Sequence, residues 1–155
     1  MIRPCATVDE PGWLELRQAL WPHATHQEHV QEMRDFLSAP ERYGQFVCVD
    51  NACEPVGFIE VALRHDHVNG TETSPVAFVE GLYVRQRSRR KGWGRELMSS
   101  AEAWARSRGC TELASDAALD NTVSHRAHVS LGFHETERVV YFRKVLPPMH
   151  DNGTS

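Results

Sequence analysis

The sequence lacks the patterns that mark several classes of protein. It has four cysteines in 155 residues and no Cys-x-x-Cys pair, which argues against zinc or dithiol redox chemistry and favours reduced, structural thiols. No apolar run reaches the roughly eighteen residues that span a membrane, and the N-terminus lacks the apolar segment of a secretion signal. We therefore predict a cytoplasmic protein with no membrane association.

Positive charge is not in excess either. The 17 lysines and arginines are outnumbered by 21 aspartates and glutamates, which gives a formal net charge of −4. Proteins that bind nucleic acid usually need a basic surface, so no nucleic-acid partner is expected, whereas small cations are compatible with this balance. The carboxylates show no spacing typical of metal ligands, and no metal is expected.

The first half of the chain carries helix patterns followed by strand patterns. Apolar residues at helical spacing predict two helices, one containing Trp13 and Leu20 and a second that ends before Pro40. Two apolar runs, 46–49 and 56–63, flank a segment rich in turn formers. They predict an antiparallel hairpin.

The second half alternates between the two patterns. In order, the sequence predicts a buried strand, an amphipathic helix, a short strand, a helix and a final strand, over residues 76–84, 93–108, 111–115, 121–131 and 137–146. This order predicts a mixed α/β (α+β) domain with a central twisted sheet flanked by helices. We expect a single domain over residues 1–146 and a disordered tail over 147–155.

A basic, glycine-containing loop over residues 89–94 opens the amphipathic helix, and it reads Arg-Arg-Lys-Gly-Trp-Gly. Its glycines let backbone N–H groups point inward, and the start of the helix adds partial positive charge, so the loop predicts a pyrophosphate site. The loop matches neither the phosphate loop of nucleotide triphosphatases nor the Gly-x-Gly-x-x-Gly of dinucleotide folds. The strand before it contains Gly81, which indicates a bulge or a ligand close to the backbone.

This order of elements, with the pattern [Gln/Arg]-x-x-Gly-x-Gly over 89–94, resembles the GCN5-related N-acetyltransferase (GNAT) superfamily over about residues 10–146. The resemblance implies the GNAT fold, with a bulged strand at the cofactor site, and acetyl-coenzyme A (acetyl-CoA) as co-substrate. It implies that the backbone amides of Leu82 and Val84 meet the acetyl and pantetheine groups. The implied cofactor-binding residues are Leu82, Tyr83, Val84, Arg89, Arg90, Lys91, Gly92, Trp93, Gly94, Arg95 and Asn121.

Longer motifs resemble a narrower family, the chromosomal aminoglycoside 6′-N-acetyltransferases. They are the runs 67–81, 114–121, 130–133 and 135–139. The resemblance implies acetylation of the 6′-amine of aminoglycoside antibiotics, resistance to these drugs, and a homodimer. The implied substrate-binding residues are Trp21, His67, Glu80, Asp116 and Glu137, with a histidine at 67 where the family pattern has tyrosine.

The chemistry of amine acetylation suggests three catalytic candidates. An aminosugar amine is largely protonated at neutral pH, so a proton acceptor is needed, and Glu80 either takes that role, directly or through water, or only pairs with the ammonium. The backbone N–H of Leu82 is expected to stabilise the developing oxyanion. His128 occupies the position of a tyrosine proposed to protonate the leaving thiolate in many superfamily members, and it either donates that proton or is passive.

Two other functions remain open at this point. The same chemistry could act on another amine, such as a polyamine or a protein N-terminus. A non-catalytic coenzyme A sensor or interaction module is a third reading, but the presence of Glu80 together with the whole cofactor loop favours an enzyme.

Overall fold

A five-stranded mixed sheet, with its strands in sequence order, forms the centre of the described part of the chain. The structure is a computed structural model, and it describes residues 1–150. Neighbouring strands are antiparallel except for the last pair, which is parallel. The strands are β1 (Ile2–Pro4), β2 (Tyr43–Val49), β3 (Pro55–Arg64), β4 (Val76–Val84) and β5 (Leu113–Ala114).

The predicted helices are present, with ends set by local sequence. α2 begins with a capping box in which the Thr25 side chain accepts from the Glu28 backbone N–H and the Glu28 carboxylate accepts from the Thr25 N–H. A 3₁₀ turn, Gln86–Ser88, lies between β4 and the basic loop. The α-helices are α1 (Trp13–Leu20), α2 (His26–Ser38), α3 (Trp93–Ser107) and α4 (Thr122–Ser130).

Each face of the sheet is covered by a helical layer. The apolar stripe of α3, including Leu97 and Ala101, packs with Ile59 and Val61 in one core cluster. On the opposite face Trp13 of α1 belongs to a second cluster with strand side chains. Burial of these two apolar surfaces accounts for the layered α/β architecture that the periodicity predicted.

The predicted bulge lies in β4. Glu60 of β3 pairs with Gly81 and the next residue, Val61, pairs with Val79, so Glu80 is an extra residue without a partner in the ladder. The extra residue also shifts the alternation of β4. Ala77 and Val79 before the bulge, and Leu82 and Val84 after it, all pack with the core on the α3 side.

The end of the chain departs from the prediction. No helix or strand occurs over residues 133–150, so the predicted strand 137–146 is wrong as a structure of the single chain, and β5 is shorter than the predicted 111–115. A strand requires a neighbouring strand to pair with, and residues 133–150 pair with no strand among the residues that the structure describes. Residues 147–150 of the predicted tail lack regular structure, and 151–155 lie outside the described residues.

Large apolar side chains of residues 139–149 remain exposed. Val140, Tyr141 and Phe142 are between 75% and 93% exposed. We call residues 134–150 the C-terminal arm. Over residues 1–150, no helix is long and apolar enough to cross a membrane.

Candidate functional site

A cleft opens where the sheet divides. The β4–β5 ladder consists of two pairs, Ala77 with Leu113 and Phe78 with Ala114. Beyond Phe78, β3 is the one neighbour of β4 within residues 1–150, so the other edge of β4 is open there. A cleft of about 1220 Å³ follows this edge, with the start of α3 and one side of α4 in its walls.

Most of the residues predicted for the site meet in this cleft. Its walls include residues predicted for the cofactor, the acceptor and catalysis: Trp21, Glu80, Leu82, Tyr83, Val84, Arg89, Arg90, Gly92, Trp93, Gly94, Arg95, Asp116, Asn121 and His128. Three predicted residues, His67, Lys91 and Glu137, are exposed and are not part of the walls. His67 lies on the β3–β4 loop and Glu137 on the C-terminal arm.

The start of α3 forms a cradle for an anion. Gly92 is the N-cap with φ of 89°, a left-handed conformation that glycine adopts without strain, and no side chain caps the first turn. The first N–H groups of a helix have no partner within the helix, and here they meet a wall of the cleft. A Cβ at Gly94 would meet nothing within 4 Å among the described residues, so the space beside this backbone is open to a ligand.

Arg89 ties the cradle to the end of β4. Its Nε donates to the carbonyl oxygen of Val84 over 2.8 Å, and its guanidinium lies 5.8 Å from the centroid of the Tyr83 ring. Arg90 has φ of 60°, so the backbone turns sharply just before Gly92. The loop and the open strand edge are therefore held as one surface.

The bulge brings an acidic side chain and an aromatic wall together. Glu80 is the unpaired bulge residue, and Arg64 donates from Nη2 to its Oε1 over 3.0 Å. A Cβ at Gly81 would lie 2.5 Å from the Trp21 ring, so only glycine lets Trp21 pack this closely on the strand. Sequence reasoning found Glu80 and Trp21 but missed Arg64, because a single arginine at a strand end forms no pattern.

His128 is fixed by a small hydrogen-bond network. Its Nδ1 lies 2.7 Å from the carbonyl oxygen of Ser124 and its Nε2 lies 2.7 Å from the hydroxyl of Ser115. Because a carbonyl only accepts, Nδ1 carries a proton, and Nε2 of the neutral ring accepts from Ser115. The ring also meets Phe133 edge to face at 5.2 Å. Ser115 and Ser124 were not predicted, since lone serines carry no signal.

Asn121 has a structural task as well as a place in the cleft. Its side-chain oxygen accepts from the backbone N–H of Ser124 over 3.1 Å and so caps α4. The cap occupies the oxygen and leaves the amide NH₂ to act as a donor.

The loop that carries His67 is anchored at its far end. The carboxylate of Glu112 accepts from the backbone N–H groups of Glu72 and Thr73, at 2.9 and 2.7 Å, and from the Thr73 hydroxyl. These donors lower the pKa of Glu112. Val68 of the same loop is buried in a small cluster with Phe78. The loop therefore has a fixed course beside the strand pair that borders the cleft.

A second Arg–Glu pair lies beneath the bulge and was also missed. Arg17 donates from Nη1 to both oxygens of Glu60 at 2.5 Å, and the Trp13 indole donates to the same carboxylate over 2.8 Å. Burial raises the pKa of Glu60, while Arg17 and Trp13 oppose that shift by stabilising the charged form. His29 Nε2 lies 3.1 Å from the Trp21 carbonyl oxygen and its Nδ1 accepts from Arg17 Nε over 3.4 Å.

These features support one type of chemistry. An anion is held at the start of α3, an extended group is able to hydrogen-bond along the open edge of β4, and an acidic side chain stands at the bulge. Asp116 adds a second carboxylate to the walls. The arrangement suits the transfer of a group from an extended phosphate-bearing donor to a cationic acceptor.

Comparison with known proteins agrees with this geometry. Residues 11–133 match the model of the acetyltransferase (GNAT) family. An aminoglycoside N(6′)-acetyltransferase type 1 from Serratia marcescens is 48% identical over 148 residues, which cover 94% of this chain and 99% of that protein. One from Acinetobacter genomosp. 13 is 50% identical over 133 residues, 85% of this chain and 89% of that protein.

Solved structures show the same fold. The apo crystal structure of the aminoglycoside 6′-N-acetyltransferase AAC(6′)-Ig from Acinetobacter haemolyticus has a TM-score of 0.88 at 44% identity, covering 95% of this chain and 99% of that one. AAC(6′)-Iy in complex with the bisubstrate analogue CoA-S-monomethyl-acetylneamine has a TM-score of 0.88 at 35% identity, covering 94% and 98%. The fold prediction is confirmed, and the chain belongs to the GNAT acetyltransferase family.

Proposed function

We propose that this protein transfers the acetyl group of acetyl-CoA to the 6′-amine of aminoglycoside antibiotics and thereby inactivates them. The observation that carries the proposal is the single cleft in which Glu80, the open edge of β4 and the start of α3 meet. The named activity of relatives at 48% and 50% identity supports the same reaction. In the cell the expected consequence is resistance to aminoglycosides with a 6′-amine.

The residues of the cleft fit acetyl-CoA. The α3 cradle, with Arg89, Arg90 and Lys91 nearby, suits its pyrophosphate, and the space at Gly94 allows close approach to the backbone. The open edge of β4 at Leu82 and Val84 suits the amide groups of the pantetheine arm, because an extended ligand can add to a strand edge. Asn121 contributes a free NH₂ donor, and Trp93 and Arg95 complete the wall.

The acceptor half of the cleft is acidic and aromatic. Asp116 and Glu80 suit the ammonium groups of a polycation through charge-assisted hydrogen bonds, and Trp21 supplies a flat apolar wall. His67 and Glu137 remain proposals for the same half. His67 belongs to a loop that Glu112 anchors. Glu137 would join an acceptor site only where the C-terminal arm that carries it lies against a cleft.

The reaction joins the 6′-nitrogen to the acetyl carbon, breaks the carbon–sulfur bond and removes two protons from the ammonium, one of which balances protonation of the thiolate while the other goes to solvent. Acetyl-CoA supplies the activated acyl group. Glu80 accepts the proton that the acceptor ammonium must lose, directly or through a water molecule, so that a lone pair is available for attack. The backbone N–H of Leu82, next to the bulge, donates to the acyl oxygen as negative charge develops there.

We propose His128 as the group that donates a proton to the leaving thiolate. When protonated, its Nε2 carries a proton that is exchangeable with the Ser115 hydroxyl, while the Ser124 carbonyl fixes the ring. A His128→Phe variant that keeps full turnover would assign the ring a structural role and leave the thiolate to depart unaided.

We propose that the protein is a homodimer associated through the C-terminal arm, and that residues 1–146 form its catalytic domain. The arm exposes Val140, Tyr141 and Phe142, and an apolar surface of this kind favours burial against a partner. α4 adds exposed Val129. Since Glu137 lies outside the cleft of its own chain, association is also the route by which it joins an acceptor site.

The dimer is tested by light scattering after size-exclusion chromatography. The full chain is expected to elute as a dimer, and a Tyr141→Asp/Phe142→Asp double variant as a monomer that still binds acetyl-CoA. A full chain that is monomeric at micromolar concentration would overturn the dimer without affecting the proposed reaction.

The reaction is tested by mass spectrometry of the drug. Purified protein with acetyl-CoA is expected to add one acetyl group to tobramycin or kanamycin, and none to a matched aminoglycoside with a hydroxyl at the 6′ position. Acetylation of both compounds would place the transfer on another amine. No acetylation of either, with acetylation of a polyamine such as spermidine, would replace the substrate class and keep the enzyme class.

A further inference from the structure

Arg64 lies at the point where β3 ends beside the start of β4. Its Nη2 donates to Oε1 of Glu80 over 3.0 Å, and its Cζ lies 3.8 Å from the centroid of the Phe78 ring. Phe78 is buried, so the guanidinium rests on a fixed surface before it reaches the carboxylate. The contact is therefore held from two directions.

Glu80 needs such a support because it is the extra residue of the bulge. The ladder does not pair it with β3, and its side chain is 32% exposed. A glutamate side chain in that position is free to occupy several rotamers, and fixing it in one costs conformational entropy. Among the side chains of residues 1–150, Arg64 is the one that donates to Glu80.

The hydrogen bond from Arg64 uses Oε1. The second oxygen, Oε2, is then left for the acceptor. Arginine stays charged across the pH range of the enzyme, so Arg64 is a permanent donor and does not itself take up the proton. It is also a cation within a site proposed to bind a polycation, and its charge opposes binding of the acceptor.

We propose that Arg64 is a positioning residue that aims Oε2 of Glu80 at the acceptor nitrogen, at the expense of some affinity for the cationic acceptor. This inference rests on the proposed function of Glu80 in acetyl transfer. Its consequence is a split between the kinetic constants. Loss of Arg64 lowers kcat, because the proton acceptor is no longer aligned, but does not raise KM for the acceptor.

The pair contributes little to folding, which makes the test practicable. Partly exposed ion pairs typically stabilise a protein by about 0–1 kcal/mol, so Arg64 variants are expected to fold. Arg64→Gln removes the charge and Arg64→Lys keeps it but loses the planar group that stacks on Phe78. Arg106→Gln is the matched control, since Arg106 pairs with Glu102 on α3, far from the bulge in sequence and on a different element.

Steady-state kinetics with tobramycin and acetyl-CoA test the proposal. Arg64→Gln is expected to lower kcat by about ten- to hundredfold, which is the effect of a misplaced catalytic group. Acceptor KM should stay the same or fall by up to about fivefold, and acetyl-CoA KM should not change. Arg64→Lys should recover part of kcat, and Arg106→Gln should match the wild type.

A double-mutant cycle with Glu80→Gln decides whether Arg64 acts through Glu80. Arg64→Gln is expected to have no further effect on kcat in the Glu80→Gln background. Equal effects in both backgrounds, a kcat within about twofold of the wild type, or a raised acceptor KM with normal kcat would overturn the proposal. Failure of the wild-type protein to acetylate any 6′-amino drug would instead refute the proposed function.

Discussion

Two Arg–Glu pairs have their carboxylates on the same stretch of the β3–β4 hairpin and differ mainly in burial. Arg17 and Glu60 are 1% and 2% exposed, and the pair is completed by the Trp13 indole. Arg64 and Glu80 are 36% and 32% exposed, and Glu80 lines the cleft. The register places Glu60 opposite Gly81, next to Glu80, so the two carboxylates belong to neighbouring positions of the sheet.

This difference indicates which pair serves the fold and which serves the site. Without its partner, a buried charge loses most of its stabilisation. The buried Arg17–Glu60 ion pair must therefore stay intact throughout the reaction. A partly exposed carboxylate is able to exchange partners with water and ligands at little cost. At the bulge, the buried carboxylate of Glu60 therefore serves the fold, and the neighbouring carboxylate of Glu80 is accessible to ligands.

The largest expected effect is on stability, from Arg17→Met. The variant leaves Glu60 without its buried partner and should lower the free energy of unfolding by about 3–5 kcal/mol, measured by urea denaturation. Burial already raises the folded-state pKa of Glu60, and removal of Arg17 raises it further. A raised pKa gives stability that is present below the unfolded value of about 4.3 and is lost as pH rises through the folded value. The variant should therefore lose stability progressively as the pH rises above that unfolded value.

Replacing both partners of the buried pair is the control. Arg17→Met/Glu60→Leu removes both charges and should recover part of the loss, because an apolar pair of similar volume often equals a buried ion pair, while the buried Trp13 indole N–H loses its acceptor. The recovered variant should also lose the pH dependence. If the double variant is as unstable as Arg17→Met, the loss comes from packing against Trp21 and Phe36 and not from the unpaired charge.

The next effect is on turnover, from Glu80→Gln. The amide has the same shape but accepts a proton poorly, so kcat for tobramycin should fall by about 10²–10⁴. The free energy of unfolding should change by less than about 1 kcal/mol, and calorimetry should give unchanged affinity for acetyl-CoA. Equal loss of turnover and of acetyl-CoA affinity would mean that Glu80 supports the bulge structurally.

A smaller effect is expected from Asp116→Ala. The side chain lies in the wall of the cleft and is proposed to bind the acceptor, so its loss should raise KM for the aminoglycoside by about tenfold through one lost charge-assisted hydrogen bond. Turnover at saturation should change less than KM, since the contact is present before and during reaction. A large fall in kcat at constant KM would assign Asp116 to the chemistry instead.

The smallest effect is expected from Arg106→Gln. Arg106 and Glu102 form an exposed pair on α3, at 71% and 39%, and its loss should change the free energy of unfolding by less than about 0.5 kcal/mol. Together with the buried and intermediate pairs it gives a series ordered by exposure. A change above about 1 kcal/mol at this exposed pair would show that exposure does not control the contribution of these pairs.

Sequence patterns predicted the parts of the fold that depend on local periodicity. The stripe of Leu97, Ala101 and Trp104 fixes the buried face of α3, and Gly81 correctly indicated the bulge. The basic loop, with Gly92 at the start of the helix, was predicted for the same reason, because its backbone geometry depends on adjacent residues. Most of the predicted site residues also line the cleft.

Features that depend on distant parts of the chain were missed. Arg17 and Glu60 are 43 positions apart, and nothing local distinguishes them from surface charges. Arg64 likewise acquires meaning only from its contact with Glu80. The β-branched and aromatic residues of 137–146 do favour a strand, but strand formation requires a neighbouring edge that the single chain does not supply over residues 1–150. Propensity alone therefore gave the wrong structure for the arm.

The open edge of β4 has a consequence for the design of inhibitors. Its hydrogen-bonding groups, those of Leu82 and Val84, belong to the peptide backbone, which side-chain substitutions leave in place unless they introduce proline. A compound that pairs with this edge would keep its contacts in variants altered at Asp116 or Trp21. Escape from such a compound would require a change in the course of the strand, and that change would also disturb the bulge at Glu80.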